Sequence, residues 1–562
     1  METMKSLFTT RRPEVPARLL ALVSAVFIAV ADNGALFRAL SDRLDITSLA
    51  GGAFVFTAYL LLATALCIFF FITGFRYTLK PVIVFFIALT SVLSYFSHQL
   101  GVIFDEDMIR NVAETIRDNN RQEAFELLSP PLILHLVLLG LLPSLAVIYV
   151  KTVYEKPVRE VLWRLGIAGL LLVVLGVTVW ANYKFTTFFV RENREVRVYA
   201  IPTYPIFSLT KYAKSFSKGK KIEFKMIGED AIQQKAGTRR VIGLMVVGET
   251  ARADHLSLNG YERKTNPLLE QENLLNFSQA TAAGTSTAYS VPAMFSFMEP
   301  DKFTPEKAGA QSNVLDVMKH AGVNVYWIEN NSSSKGVANR IDTIDLRKDP
   351  DPSAPLYSDG GYFDEALVTY LDQCIDKAPG DVLVVMHTMG SHGPTYHKRY
   401  PDAFAQFTPD CHGNSPQECE TDTVINAYDN TILYTDFVLS GLITYLKNRA
   451  TDSDTFLVYA SDHGESLGED GIYLHGLPPF LAPAAQTHVP MFAWLSDGFP
   501  ANQNMPGTPV KATIDTSITH SSLPHTLLGL LGVKTGLYAE GLDVLSGYRG
   551  AKAGAPVLPA AQ

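Results

Sequence analysis

The feature that most constrains this sequence is a set of long uncharged apolar runs in its first third. Gly51–Gly74 holds no Asp, Glu, Lys or Arg. Three more runs have the same character: Pro81–Phe104, Leu132–Val150 and Leu165–Tyr183. An α-helix of about 20 apolar residues crosses the hydrocarbon core of a bilayer. Each run therefore predicts a transmembrane helix.

A fifth predicted span, Leu19–Leu40, is less regular, because Asp32 and Asn33 interrupt it. We expect Asp32 to lie near the membrane interface. Five spans put the two chain ends on opposite sides of the membrane. Lys and Arg are more frequent in the short segments on the N-terminal side. The positive-inside rule then predicts a cytoplasmic N-terminus and an external location for everything after Tyr183.

Composition narrows the classes of function. The formal net charge is −9 and only 18% of the residues are charged, so no general electrostatic attraction to nucleic acid exists. Four cysteines among 562 residues exclude a fold held together by disulfides. Cys411 and Cys419 bracket a short polar turn, and an external location predicts that they pair; two free thiols are the alternative.

Beyond about Lys214 the sequence changes to short apolar runs, each followed by a polar or glycine-rich turn. The runs are Val241–Val247, Val323–Ile328, Val382–Met386, Phe456–Tyr459 and Val489–Trp494. They predict buried strands of a mainly parallel α/β sheet with crossover helices. The predicted division is a transmembrane domain over residues 1–190, a juxtamembrane linker over 191–219, a catalytic domain over 220–549 and an unstructured tail over 550–562.

Chemically reactive side chains follow four of the predicted strands. Glu249 follows the first, and Asp462 and His463 follow the fourth. Parallel strands collect ligands at their carboxyl ends, and carboxylate with imidazole is a ligand set that zinc accepts. A helix cap or a hydrogen-bonded surface pair is the alternative for each residue alone. Their arrival together favours a metal site.

A hydroxyl-rich segment, residues 282–292, precedes a predicted helix and offers a reacting group. A hydroxyl at a helix N-terminus that also binds zinc would be partly deprotonated beside a site suited to phosphate. A plain Ser/Thr capping run is the alternative.

Several longer motifs resemble the bacterial phosphoethanolamine transferases, which modify lipid A and include the mobile colistin-resistance enzymes. The matching stretches are residues 248–267 (GETARADHLSLNGYERKTNP), 284–296 (GTSTAYSVPAMFS), 327–336 (WIENNSSSKG), 387–401 (HTMGSHGPTYHKRYP), 425–430 (INAYDN) and 461–476 (SDHGESLGEDGIYLHG). Residues 105–115 (DEDMIRNVAET) extend the resemblance into the membrane part, so it covers nearly the whole chain.

The resemblance implies a five-helix transmembrane bundle joined to a domain with the alkaline-phosphatase or sulfatase fold. It implies Thr287 as the nucleophile. It implies one zinc ion, or two, with the ligands Glu249, Thr287, Asp462 and His463. The residues that would bind the substrate are Asn331, Lys335, His392 and His475, together with Asn111 and Glu114 in an external loop. The family usually has cysteines where this chain has Ala283 and Ala293.

The implied activity is zinc-dependent transfer of phosphoethanolamine from phosphatidylethanolamine to lipid A, or to the lipopolysaccharide core, through a phosphothreonine intermediate. We expect a monomer in the bacterial inner membrane with a periplasmic catalytic domain. Alternatives are a related membrane-anchored phosphotransferase acting on another glycan (glycerol phosphate or core heptose) and a zinc-binding membrane sensor without turnover.

Overall fold

The computed structural model describes residues 12–117, 125–217, 223–348, 350–358, 361–502 and 511–547. The chain divides into two compact units. The first unit comprises Met1–Ile109 and Leu128–Lys214, and the second comprises Arg110–Leu127 and Ser215–Gln562. The tail predicted over 550–562 lies outside the described residues.

The first unit is a bundle of apolar helices. Four are long and apolar enough to cross a membrane: Leu49–Thr73, Leu79–Gln99, Pro130–Tyr149 and Pro157–Ala181. The helices Ala17–Ala31 and Gly34–Ser41 pass the same test together, with a bend of 51° between them. If this pair counts as one span, the described residues contain five spans. The predicted transmembrane bundle is confirmed, and the fifth span is broken at its polar residues.

The break is stabilised by side chains that replace helical hydrogen bonds. The Asn33 side chain donates to the carbonyl oxygens of Ile28 and Ile201, and its Oδ1 accepts from the Ile201 N–H at 2.8 Å. Asp32 is buried and accepts a hydrogen bond of 2.5 Å from the Thr90 hydroxyl. A buried polar group is tolerated when it is hydrogen-bonded in this way.

The remaining elements of this region are shorter. They are the parallel strand pair Glu14–Pro16 and Lys151–Val153, the helices Glu106–Arg117, Tyr183–Glu192 and Thr203–Ser217, the 3₁₀ helix Arg194–Tyr199, and a π-helical turn, Leu136–Leu141, inside the third long span. The predicted linker over 191–219 is thus largely helical where it is described.

The second unit is built on an eight-stranded sheet. Its strands are β1 (Arg240–Gly248), β2 (Leu274–Phe277), β3 (Asn324–Glu329), β4 (Asp342–Asp345), β5 (Val382–His387), β6 (Ser453–Ser461), β7 (Met491–Leu495) and β8 (Ala512–Ile514). They lie in the order β8-β2-β7-β6-β1-β5-β3-β4. β7 is antiparallel to both of its neighbours, and the other neighbouring pairs are parallel. This confirms the mainly parallel α/β sheet.

Both faces of the central strand β1 are buried, which explains its continuous apolar run. Successive side chains of a strand point to opposite faces. Val241, Met245 and Val247 accordingly join one core cluster, and Ile242, Leu244 and Val246 join the other. The helix Ser522–Leu530 packs in the first cluster and the helix Thr421–Arg449 in the second. The sheet is therefore a rigid support for the loops at its edges.

Short helices complete the second unit: Thr287–Met294, Pro305–Gly309, Val314–His320, Leu371–Ile375, Ala484–Thr487 and Phe499–Asn502.

The cysteines that bracket the polar turn form a disulfide between Cys411 and Cys419. We expect the double variant Cys411→Ser/Cys419→Ser to lower the free energy of unfolding by about 2 kcal/mol, because a short closed loop restricts the unfolded chain. Thermal unfolding in detergent, compared with the variant Cys374→Ser of a buried free thiol, would measure this. An unchanged midpoint for the double variant would show that the disulfide does not contribute to stability.

Candidate active site

Three predicted metal ligands meet at the carboxyl edge of the sheet. Glu249 follows β1, and Asp462 and His463 follow the adjacent strand β6. One ligand atom from each lies within 4.8 Å of the others, and all three residues are buried. The parallel pairing of β1 and β6 places these loops side by side, as their positions in the sequence predict.

The Thr287 hydroxyl lies in the same cluster. Its Oγ1 is 3.1 Å from Glu249 Oε2 and 3.3 Å from His463 Nε2. Thr287 is the first residue of the helix Thr287–Met294, and the preceding Ser286 makes no side-chain capping bond. The Thr285 hydroxyl donates to the Leu477 carbonyl oxygen and so holds the preceding loop. Thr287 therefore presents its hydroxyl to the carboxylate and imidazole groups instead of capping its helix.

The electrostatics of this cluster favour a bound cation. Burial raises the pKa of Glu249 well above its usual value, and the nearby Asp462 carboxylate raises it further. Burial also raises the pKa of Asp462. Two buried carboxylates side by side are costly when both are ionised. A divalent cation between them would offset that cost.

The hydrogen bonds of Asp462 and His463 indicate which atom of each side chain could bind a metal ion. Asp462 Oδ1 accepts from the backbone N–H groups of His463 and Thr250, whereas its buried Oδ2 has no hydrogen-bond partner among the described residues. His463 Nδ1 lies 2.9 Å from the Gly464 carbonyl oxygen, which can only accept, so Nδ1 carries the proton. Burial lowers the pKa of His463. A neutral imidazole whose unprotonated Nε2 faces the cluster, and a carboxylate oxygen that accepts no hydrogen bond from the described residues, fit a zinc ion.

Two further histidines stand beside His463. The ring centroids of His463 and His475 are 4.3 Å apart, and those of His392 and His475 are 5.5 Å apart. Desolvation by the surrounding protein and the neighbouring His475 hold the pKa of His392 well below its usual range. The structure thus brings both predicted substrate-binding histidines to the cluster.

Asn331 is placed in the cluster by hydrogen bonds of its side chain. Its amide nitrogen donates to Glu249 Oε2 and to the Thr388 carbonyl oxygen, both at 2.8 Å. The residue that we expected to bind substrate phosphate therefore also orients Glu249. The side chain of Lys335 is only 3% exposed, and its ammonium nitrogen lies 4.0 Å from Glu114 Oε2.

The second unit includes the segment Arg110–Leu127, which holds Asn111 and Glu114. These two residues are three positions apart on the helix Glu106–Arg117 and so share one face. Arg110 donates to Glu306 at 2.8 Å, and Glu126 pairs with the buried Arg399. Arg399 also donates to the His392 carbonyl oxygen. The pair at the Glu126 end thus attaches the segment to the loop that carries His392, and the pair at the Arg110 end attaches it to the helix Pro305–Gly309.

Two buried carboxylates that contact the residues around the cluster were not assigned a role from the sequence. Glu465 is fully buried; its Oε2 lies 3.0 Å from His475 Nδ1, and its Oε1 accepts from the Tyr396 hydroxyl. Glu329 accepts from the Asn331 backbone N–H and lies 3.0 Å from His387 Nδ1. The signal for Glu465 was its position two residues after His463. The signal for Glu329 was its position directly after the predicted strand Val323–Ile328.

We expect Glu465→Gln to lower kcat for the reaction at this site by about 10- to 100-fold with little change in KM. The carboxylate fixes the orientation and tautomer of the His475 ring, and loss of such a partner typically has this cost. Steady-state kinetics would test this, with Glu299→Gln, an exposed glutamate of the same unit, as the control. Equal kcat values for the two variants would contradict the role.

Both parts of the chain match known family models. Residues 243–533 match the model described as Sulfatase. Residues 62–216 match the model described as Phosphoethanolamine transferase EptA/EptB.

Similar proteins align over most of the chain. Phosphatidylethanolamine transferase Mcr-1 of Escherichia coli is 38% identical over 543 residues, which cover 93% of this chain and 96% of the relative. Phosphoethanolamine transferase EptA of Escherichia coli K12 is 34% identical, covering 96% and 98%. The solved integral membrane protein lipooligosaccharide phosphoethanolamine transferase A (EptA) from Neisseria meningitidis superposes with a TM-score of 0.88 at 32% identity, covering 96% of this chain and 99% of that one. This chain therefore belongs to the phosphoethanolamine transferase family.

Proposed function

We propose that this protein transfers phosphoethanolamine from phosphatidylethanolamine to lipid A, or to the lipopolysaccharide core, through a covalent intermediate on Thr287. The observation that carries the proposal is the Thr287 hydroxyl, which lies within 3.4 Å of both Glu249 and His463 at the start of a helix. The name of the relative Mcr-1 supports phosphatidylethanolamine as the donor. A second relative, 32% identical over 302 residues, is named Kdo(2)-lipid A phosphoethanolamine 7''-transferase, and this name supports an acceptor of the lipid A class.

The residues that would hold zinc are Glu249, Asp462 and His463, with Thr287 as the fourth ligand. When bound there, zinc supplies positive charge that favours the ionised threonine oxygen and the charge of a transferring phosphoryl group. One ion satisfies this ligand set. A second would need His392 or His475.

The proposed reaction has two displacements. In the first, Thr287 Oγ1 attacks the phosphorus of phosphatidylethanolamine, the bond from phosphorus to the diacylglycerol oxygen breaks, and Thr287 carries phosphoethanolamine. In the second, an oxygen of the acceptor attacks the same phosphorus and the bond to Thr287 breaks. Asn331 and Lys335 would orient the phosphate, with Asn111 and Glu114 near the ethanolamine. Positioned donors and cations account for most of the rate enhancement in such transfers.

We propose that His475 is the general acid, which donates a proton to the departing diacylglycerol oxygen. Its Nδ1 faces the Glu465 carboxylate, which stabilises the protonated ring and leaves Nε2–H to donate. His392 is the weaker candidate because its pKa is held well below the usual range.

A periplasmic location of the second unit is part of this proposal. The disulfide Cys411–Cys419 is typical of an oxidising compartment. The positive-inside rule places the N-terminus in the cytoplasm and the chain after Tyr183 outside it. The membrane would be the bacterial inner membrane.

The test uses purified protein in detergent with head-group-labelled phosphatidylethanolamine and either lipid A or a core oligosaccharide. We expect mass spectrometry to find one added phosphoethanolamine on lipid A and an equal amount of diacylglycerol. If the label appeared only on the core oligosaccharide and not on lipid A, the core would be the acceptor. If the protein instead transferred glycerol phosphate from phosphatidylglycerol, it would be a glycerol phosphate transferase. If it bound zinc and formed no product, it would be a sensor.

A further inference from the structure

The first unit contains an apolar cavity of about 620 Å³. Its walls come from the helices Gly34–Ser41, Leu49–Thr73 and Tyr183–Glu192 and from the 3₁₀ helix Arg194–Tyr199. Leu36, Leu62 and Phe189 form part of the buried lining. Leu61 and Phe207 also line it and are more than half exposed. A cavity of this size and polarity suits a hydrocarbon chain.

Two arginines stand at one edge of this cavity. Arg194 and Arg197 both line it, and they are three residues apart on the 3₁₀ helix, where such side chains lie one above the other. Both are exposed, and among the described residues neither side chain makes a hydrogen bond or an ion pair. The acidic residue between them, Glu195, lies 3.4 Å from Arg43 instead. The edge of the cavity therefore carries two guanidinium groups whose side chains form no ion pair with another described residue.

The polar atoms at this edge are few and the interior is apolar. Besides the two arginines, the polar residues of the lining are Asn193, Thr203 and Tyr204. A sugar or a peptide would leave its polar groups unsatisfied inside such a cavity, at a high cost. A phosphate at the edge would instead find two guanidinium groups, whose geometry matches phosphate oxygens.

We propose that this cavity binds a glycerophospholipid of the surrounding bilayer, with one acyl chain inside and its phosphate on Arg194 and Arg197. The ligand is recognised by two features together, an apolar chain and an anionic phosphate next to it. The site lies wholly within the first unit. Binding there requires a membrane-embedded bundle but does not require transfer activity at Thr287.

Native mass spectrometry of the full-length protein, delipidated in detergent and then offered defined lipids, tests the proposal. We expect retention of phosphatidylglycerol and of phosphatidylethanolamine, and at least tenfold weaker retention of diacylglycerol, which has the chains without the phosphate. The double variant Arg194→Gln/Arg197→Gln should retain at least tenfold less phospholipid than wild type. Arg159→Gln, an exposed arginine of the same unit, should lose none.

A second variant tests the apolar part of the site. Ala58→Trp places a large ring in the cavity wall and should reduce retention of both phospholipids by a similar factor, whereas Leu172→Trp on an exposed helix face should not. The proposal would be overturned if the arginine double variant retained as much phospholipid as wild type. It would also be overturned if Ala58→Trp retained as much as Leu172→Trp. Thr287→Ala should bind lipid normally, so a failed transferase assay and a failed lipid site give different results.

Discussion

Replacing Thr287 with alanine is expected to lower phosphoethanolamine transfer at least about a thousandfold, because the covalent route disappears with its nucleophile. Thr287→Ser keeps a hydroxyl at the start of the same helix and should retain measurable activity, about tenfold below wild type. Lipid A modification would be followed by mass spectrometry with purified protein.

A second readout separates a nucleophile from a residue that only supports the site. With head-group-labelled phosphatidylethanolamine and no acceptor, wild-type protein should become labelled on residue 287, and Thr287→Ala should stay unlabelled. Thr281→Ala, at an exposed threonine of the two-residue strand Ala280–Thr281, is the matched control and should label like wild type. Labelling at another residue, or full transfer by the alanine variant, would rule out Thr287 as the nucleophile.

Asp462→Asn is expected to remove bound zinc and to lower transfer by at least about a thousandfold. Asp462 Oδ1 is already used by two backbone N–H groups, so the unpaired Oδ2 is the atom available to the ion. An amide nitrogen in its place cannot bind a cation. Zinc content measured by plasma mass spectrometry should fall well below that of wild type.

Stability gives an independent check of the same site. A ligand that binds only the folded protein raises its thermal midpoint, so a chelator should lower the midpoint of wild type and leave that of Asp462→Asn unchanged. In the chelated state the variant should be at least as stable as wild type, because the repulsion between Asp462 and Glu249 is gone. Asp470→Asn, exposed in the same loop, should behave like wild type throughout. A zinc content equal to wild type in Asp462→Asn would contradict the ligand assignment.

Much of the architecture could be predicted from local patterns. Uncharged runs identified the membrane helices, since length and polarity alone decide whether a helix suits hydrocarbon. Buried runs followed by polar residues identified the strands of the sheet. Glu249, Asp462 and His463 directly follow neighbouring parallel strands, so the side chains at the strand ends could be expected to meet.

Other parts of the site depend on contacts between residues far apart in the sequence. Asn331 orients Glu249 across 82 positions, and Glu126 pairs with Arg399 across 273. The segment Arg110–Leu127 belongs to the second unit although both of its flanking segments belong to the first. The break at Asn33 likewise depends on Ile201. No local period or motif reports such pairings.

The chain's hydrophobic pattern and its motifs were thus sufficient for the membrane bundle, the α/β sheet and the three carboxylate and imidazole groups at its edge. The three-dimensional fold alone revealed the contacts of Glu465 with His475 and of Glu329 with Asn331 and His387. It also revealed the attachment of the segment that carries Glu114 and the cavity lined by Arg194 and Arg197. The physical reason is that burial preferences act residue by residue along the chain. Hydrogen-bond partners and cavities arise only when distant segments pack together.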